Sequence, residues 1–406
     1  MYGISYEISR IFSGNEEKTS RLSYDLRWLY RLQRERMKKH GISKQLKCVS
    51  KNNTTYTRKD PDADAVLKDK SSVYASKFNS EYLDVTTSYF RGDKSILTTK
   101  RDMVFQYFIV DVGPEINIDN EPYICPNCGN VSTVRNFIEN PCEYCKTKFD
   151  KDNLFPFVSF VYSFDCLTTL DRKSNIFKLV VVLAAVFLFS LYVGINGFNN
   201  MIYGIFVTII DTAIITGVTF FITNIVKVFM SLGKMIHNDT RMRKSKRIVK
   251  DKLQPYFPEV NAHKVMGDII SNFYLVMFSD DYRELSCYDS NDDVPTLFGK
   301  VVDSSIKSLL IRNVHDDGEN IQLECIIATN DVILKHKRLV KRENDWRVVF
   351  ERNKESLRQS NSYRPHATEC DFCGFSYDSH FKYCKHCRKE NNAREFDWII
   401  ESVERY

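Results

Sequence analysis

Eight of the twelve cysteines fall into four Cys-x-x-Cys units, and this spacing constrains the fold more than any other feature of the chain. The units form two sets, in which 13 and 10 residues separate the paired units. Two such turns facing each other supply four thiolates, the tetrahedral ligand set of structural Zn²⁺. The sequence therefore predicts two structural zinc sites. Their ligands are Cys125, Cys128, Cys142 and Cys145 in the first set, and Cys370, Cys373, Cys384 and Cys387 in the second.

A glycine follows the first unit of each set, Gly129 and Gly374, where a left-handed backbone would aim amides at the sulfurs. Four filled thiolate positions leave no coordination position for water, so both ions are predicted to be structural. Redox pairs and disulfides are the alternatives to zinc. His386 lies inside the last turn and is predicted to be a spare side chain. The other cysteines are scattered and predicted to be buried thiols: Cys48, Cys166, Cys287 and Cys325.

Two long apolar runs, residues 176–195 and 201–226, contain one charged residue each, Lys178 and Asp211. About 20 apolar residues suffice to cross a bilayer core, and a helix satisfies its own backbone hydrogen bonds in lipid. The sequence therefore predicts a hairpin of two transmembrane helices over residues 176–226. A buried hairpin of a water-soluble domain is the alternative.

Basic residues flank this hairpin on both sides, whereas the connecting residues 196–200 carry no charge. The positive-inside rule then places both flanking parts in the cytosol. The protein is predicted to be integral to the plasma membrane of a bacterium, with both termini cytoplasmic. Within the basic segment 227–254, five residues are predicted to contact anionic lipid: Arg241, Arg243, Lys244, Lys246 and Arg247.

The order of these features predicts an α+β fold class and six regions. They are an N-terminal α+β region at 1–121, a zinc ribbon at 122–150, the hairpin at 176–226, the basic segment at 227–254, an α+β domain at 255–355, and a second ribbon with a C-terminal segment at 366–406.

Apolar periodicity predicts a helix at 265–278 and strands at 306–312, 321–335 and 338–350. An aromatic-rich strand candidate precedes each cysteine set and a hydrophobic segment follows it. We therefore expect the two halves to repeat one plan.

The charged strand that ends in Trp346, the cysteine set after it and the segment EFDWIIESV resemble bacterial membrane proteins with a Tim-forty-four-like domain. The resemblance covers residues 253–406. It implies a helix packed on a curved antiparallel sheet, similar to the nuclear-transport-factor-two cone, and binding or scaffolding rather than catalysis. The chain departs from that family by its central hairpin and by the cysteine set before it.

The chain contains no nucleotide-binding, zincin or serine-hydrolase motif. The predicted function is a non-enzymatic, membrane-anchored protein that binds a protein or a small apolar ligand on the concave sheet of its second half. A membrane-tethered nucleic-acid-binding protein is the alternative, although Arg135 is the only basic residue between Cys125 and Cys145. A small channel or carrier using Asp211 is a further one. The basic helix predicted near residues 21–39 could contact lipid or RNA, but ordinary packing is favoured.

Overall fold

The structure is a computed structural model of the 406-residue chain. It describes residues 4–15, 21–50, 67–68, 74–112, 117–120, 122–167, 217, 238, 240–256, 261–355, 367–378, 380–390 and 397–406. The chain divides into two units: Met1–Asp165 with Asn238–Tyr406, and Cys166–His237. Nearly all described residues belong to the first of these units.

The first half of this unit combines helices with an antiparallel sheet. It contains α1 (Ile4–Ser13), α2 (Tyr24–Lys39), β1 (Ser43–Ser50), β2 (Leu67–Lys68), β3 (Tyr74–Arg91) and β4 (Lys94–Val112). A cysteine-bearing segment follows, and a last strand returns: β5 (Pro122–Ile124), β6 (Val131–Thr133), α3 (Val134–Glu139), α4 (Lys151–Leu154) and β7 (Phe157–Leu167). The strand order in the sheet is β1-β3-β4-β7, with β2 paired to β3.

The second half begins with a helix at 240–248 that continues into a π-helical turn, Val249–Leu253. Its further helices and first three strands are α5 (Ala262–Phe278), α6 (Val294–Phe298), β8 (Val301–Asp316), β9 (Asn320–Lys335) and β10 (Arg338–Asn353). Three short strands complete it: β11 (Ala367–Glu369), β12 (Ser376–Asp378) and β13 (Ile399–Arg405). The sheet order is β8-β9-β10-β13, and β5-β6 and β11-β12 are separate hairpins.

The two halves follow one plan, as the segments that flank the cysteine sets predict. In each sheet, three strands lie side by side, a cysteine-bearing hairpin is inserted after the third, and a fourth strand returns beside it. A parallel bridge recurs as well: Leu22 pairs with Val158 just before α2, and Tyr288 pairs with Ile400 before α6. The hairpins β5-β6 and β11-β12 also contact each other.

The interior of the second half is filled by its own side chains. Alternate residues of β9, including Leu323 and Cys325, are fully buried because successive side chains of a strand point to opposite faces. Trp346 packs on Phe298 and Phe273, with ring centroids 4.6 Å and 6.4 Å apart. These rings pack on the face of the sheet where the sequence predicts a ligand, and binding of a ligand there stays a prediction.

The prediction of a transmembrane hairpin is wrong. None of the helices in the described part of the chain is both long and apolar enough to cross a membrane. The runs 176–195 and 201–226, with Asp211, lie outside the described residues apart from Gly217. The predicted localisation in a bacterial plasma membrane depended on that hairpin and is wrong for the same reason. An apolar run indicates that a segment avoids water, but it does not identify what covers the segment.

The basic segment after these runs is described from residue 240 onward, and it packs on the edge of the second sheet. Met242, Ser245 and Val249 are buried at helical spacing. The Ser245 hydroxyl accepts a 2.8 Å hydrogen bond from the Ile311 N–H and lies 2.9 Å from the Leu309 carbonyl oxygen. This hydroxyl therefore covers two backbone groups of β8, which is an edge strand.

The five basic residues predicted to contact lipid lie around the remaining surface of this helix. Arg243, Lys244 and Arg247 are exposed, whereas Arg241 and Lys246 are half-buried. Arg241 Nη1 lies 3.9 Å from Asp345 Oδ2. Their predicted contact with lipid rested on the neighbouring hairpin and loses that basis.

We expect Ser245→Ala to lower the free energy of unfolding by about 1–3 kcal/mol, because the Ile311 N–H and the Leu309 carbonyl would stay buried without this partner. Lys244→Ala is the matched control at an exposed position of the same helix, and it should change the free energy by less than about 0.5 kcal/mol. Urea unfolding followed by circular dichroism measures both. Equal effects of the two substitutions would contradict the packing of this helix on β8.

Candidate metal centres and a buried cavity

All four Cys-x-x-Cys units form the same backbone turn. The N–H of each first cysteine donates to the carbonyl five residues later, at 2.7–3.0 Å, and its carbonyl accepts from the N–H four residues later, at 2.8–3.0 Å. The residue at that fourth position always has a positive φ, from 57° to 78°: Gly129, Lys146, Gly374 and Arg388. The predicted left-handed glycines are therefore confirmed, and a lysine and an arginine adopt the same conformation in the other two turns.

The eight sulfur atoms converge into two sets of four. The shortest Sγ–Sγ distances are 3.7 Å or 3.8 Å, and all four ligand atoms of a set lie within 4.8 Å of one another. A tetrahedron with zinc–sulfur bonds of about 2.3 Å has edges of about 3.8 Å, so both sets fit this geometry. The close pairs join different units: Cys125 with Cys145, Cys128 with Cys142, Cys370 with Cys387, and Cys373 with Cys384.

These eight cysteines are free, so the disulfide alternative does not describe this structure. Each set can hold one metal ion. Burial raises the pKa of Cys125 and raises that of Cys128 to about 11, so these two thiols keep their protons at neutral pH when no cation is near. At Cys145, burial is outweighed by hydrogen bonds with Thr147, which lower the pKa to about 6. A divalent ion replaces those protons when it binds, because thiolates are its ligands. Four sulfur ligands at this spacing can therefore take up a divalent ion with release of protons.

The buried arginine of α2 holds the first metal centre. The Arg27 side chain is 1% exposed, and its guanidinium donates to the Pro126 carbonyl at 3.0 Å and to Asn127 Oδ1 at 3.3 Å. Arg31 donates to the Asn127 carbonyl at 3.1 Å. Asn127 in turn donates to Thr147 Oγ1 at 3.0 Å, which joins the two turns of this centre. Arg27 and Arg31 of α2 therefore contact the protein's own interior. This agrees with the prediction of ordinary packing, which the sequence favours over contact with lipid or RNA.

The same helix also reaches the second metal centre. Trp28 contacts His380 and Phe381, with ring centroids 5.3 Å and 5.5 Å apart. Asp25 Oδ1 lies 3.6 Å from Nε2 of His380, which is 5% exposed. The His380 carbonyl accepts a 2.7 Å hydrogen bond from the Ser286 N–H, so the second centre is attached to both halves of the unit.

The two centres differ in the apolar support around them. The first is surrounded by a buried cluster that includes Tyr123, Phe137 and Phe149. Around the second, the buried cluster consists of the cysteines themselves. We infer that the second centre depends far more on its metal for folding.

A cavity of about 110 Å³ lies between the sheet of the first half and the second half of the unit. Apolar side chains form part of its wall, among them Phe12, Leu46, Val85, Met103 and Phe278. Its polar wall includes Lys44, Tyr89, Arg101, Asp303 and Asn330.

Asp303 is the centre of the polar wall, and its side chain is 6% exposed. Lys44 Nζ lies 2.7 Å from its Oδ2, and the Tyr89 hydroxyl donates to the same oxygen at 2.5 Å. Gln33 donates to Oδ1 at 2.5 Å. Burial, with the charge of Asp303 next, holds the pKa of Tyr89 well above its ordinary value, so this hydroxyl stays a donor. Sequence reasoning missed this cluster, whose one local signal is an acid directly after Val301-Val302 in a strand.

We expect Lys44→Met to lower the free energy of unfolding by about 3–5 kcal/mol, because the Asp303 carboxylate would stay buried without its cation. The double variant Lys44→Met/Asp303→Asn should recover most of that loss, since no isolated charge then remains and the amide can still form hydrogen bonds with Tyr89 and Gln33. Denaturant unfolding of both variants measures the difference. A double variant as unstable as the single one would contradict a charge-pairing role.

Purified chain should carry about two metal ions, with zinc the best fit to eight thiolates in two tetrahedral sets. Cys373→Ser and Cys128→Ser are matched variants, one in each centre, and each should remove one ion. Cys373→Ser should also expose the segment 367–390 to protease, whereas Cys128→Ser should have a weaker effect because an aromatic cluster supports its centre. Elemental analysis and limited proteolysis measure both outcomes. Metal content near zero in freshly prepared wild-type chain would refute the metal assignment.

Comparison of the chain with protein families, with curated proteins and with solved structures finds no match. The function therefore has to be inferred from the residues of the chain and the geometry of its sites.

Proposed function

We propose that this chain is a non-catalytic binding protein whose two halves are each stabilised by one structural zinc ion and together enclose a small ligand. The observation that carries the proposal is the cavity of about 110 Å³ lined by both halves. The zinc assignment is supported by the four-thiolate sets, in which no coordination position is left for a water or a substrate. Closed sites of this kind stabilise structure rather than perform chemistry.

The wall of the cavity defines the class of ligand. An apolar cavity of about 150 Å³ holds a molecule the size of benzene, so this slightly smaller one suits a compact molecule. Because apolar side chains share the wall with Lys44, Tyr89 and Asp303, the ligand should combine an apolar body with one polar group. Binding sites commonly combine apolar walls with a few polar groups that fix orientation.

The polar groups of the wall are engaged with one another, which suits recognition better than catalysis. Asp303 accepts from Tyr89 and Gln33 and pairs with Lys44, so its charge is balanced before any ligand arrives. Arg101 Nη1 donates to Ser305 Oγ of the second half at 3.3 Å, and both residues line the cavity. A preorganised wall of this kind lowers the cost of ordering side chains on binding.

The resemblance to Tim-forty-four-like domains agrees with a binding or scaffolding role and stays a prediction. A protein partner, the other class of ligand expected from the sequence, would need a larger surface than a cavity of about 110 Å³ offers.

Propanol and propionate are suitable probes, since each joins a short apolar body to one polar group and is smaller than benzene. We expect at least one of them to raise the unfolding temperature of the zinc-loaded chain, because a ligand that binds the folded state stabilises it by mass action. Thr99→Met should abolish that rise by filling the cavity, since Thr99 lines it and is 7% exposed.

Thr98→Met is the matched control, because Thr98 is the exposed neighbour on the same strand and does not line the cavity. It should leave the response to the probes unchanged. An unfolding temperature of the wild-type chain that neither probe changes, with no small molecule released when the chain is denatured, would count against the proposal.

A further inference from the structure

The second metal centre presents exposed aromatic rings at its surface. Phe372 is 61% exposed and Phe375 is 56% exposed, which is unusual for rings of this size. The Phe375 ring is stacked on the His386 ring, with centroids 4.4 Å apart and planes at 3°. Because one face of Phe375 is covered by His386, its exposure comes from the opposite face and the ring edge. We call Phe372, Phe375 and His386 the aromatic tip.

Basic side chains surround the aromatic tip. Lys385, Arg388 and Lys389 are exposed in the last cysteine turn, which contains no acidic residue between Cys384 and Lys389. The Lys389 ammonium lies 4.3 Å from the centroid of the Phe372 ring. Two acidic residues nearby are also exposed, Asp371 in the facing turn and Glu390 directly after Lys389, against the three basic ones. The surface at the tip therefore combines aromatic faces with an excess of positive side chains.

The metal centre itself contributes negative charge, since four thiolates with a divalent ion leave two net charges. These charges lie behind the aromatic tip, because Cys370 and Cys384 are 2% and 0% exposed. Backbone N–H groups in each turn also face the sulfurs and disperse their charge. An approaching anion therefore meets the three basic side chains first.

We propose that the aromatic tip, with Lys385, Arg388 and Lys389, binds single-stranded nucleic acid. A base stacks on the open face of Phe375 while the basic side chains contact the flanking phosphates. Stacking on aromatic side chains beside a basic surface is how single strands are bound without sequence preference. An apolar protein surface would match the rings, but it would supply no anion for the three basic side chains. Two of these contact aromatic rings nearby, Lys385 on Phe381 and Lys389 on Phe372.

The first metal centre shows why the sequence points away from nucleic acid. Its first turn is covered by Arg27 and Arg31 of α2, and its one strongly exposed ring is Tyr144, at 80%. The low number of basic residues between Cys125 and Cys145 therefore describes a centre whose first turn is already covered by α2. The second centre has the same backbone geometry with a different surface.

Two or three phosphate contacts set the expected response to salt. For single strands, the slope of log affinity against log salt is about −0.7 per contact, which gives a slope of about −2 here. Stacking makes up the rest of the affinity and is insensitive to salt. Duplexes should bind much more weakly, since their bases are not available for stacking.

Fluorescence anisotropy with labelled oligo-uridine and oligo-thymidine of about 12 nucleotides tests this on the full, zinc-loaded chain. Both probes should bind, because bases and phosphates are common to RNA and DNA. Phe375→Ala should weaken binding about tenfold or more. Replacing Lys385, Arg388 and Lys389 together by alanine should weaken binding and flatten the salt slope. Metal content measured on each variant verifies that the centre is intact.

Tyr144→Ala is the matched control, since it removes an exposed ring from the equivalent turn of the other centre, and it should leave the affinity unchanged. Absence of single-strand binding at low salt would overturn the proposal. Equal binding of a duplex, or binding that survives both Phe375→Ala and the triple variant, would do so as well. These outcomes are separate from ligand binding in the cavity, because no residue of the tip lines it.

Discussion

The carboxylate of Asp303 lies almost completely out of solvent, between the sheet of the first half and β8 of the second. A buried charge is tolerated only when it is paired and hydrogen-bonded. Its partners, Lys44, Tyr89 and Gln33, all come from the first half, more than 200 residues earlier in the chain. The two halves must therefore meet in one register, because any other would leave a carboxylate and an ammonium buried apart. The position of the cavity and of α2 follows from that register.

Helix α2 lies between the two halves and contacts both metal centres. Arg27 and Arg31 bind backbone and amide oxygens in the first centre, while Trp28 packs on His380 beside the second. Further along, Arg36 donates to the carbonyls of Phe298 and Met277 in the second half. A guanidinium has enough donors for several carbonyls at once, which explains why arginines are used at these buried contacts.

The repeated plan is put to different uses in the two halves. In the second half, Trp346 of the sheet packs on Phe298 of α6, and both rings are fully buried in the core. In the first half, the sheet contributes Lys44, Tyr89 and Arg101, and it encloses a cavity with help from the second half. For the metal centres the order is reversed: the better packed centre belongs to the first half. The first is built into an aromatic cluster, whereas the second is held by its own ligands and exposes its rings.

The sequence by itself determined the features that depend on local spacing. The eight cysteines, the left-handed Gly129 and Gly374, the helix that became α5 and the strands β8 to β10 were all predictable, because turns and periodic burial are encoded over a few residues. The apolar runs within 176–226 indicate only that these segments avoid water. The sequence alone does not determine whether lipid or protein covers them. The Lys44–Asp303 pair, the burial of Arg27 and the cavity were decided by tertiary structure. They join residues about 100 to 260 positions apart, and such contacts depend on how two sheets pack, which no local pattern records.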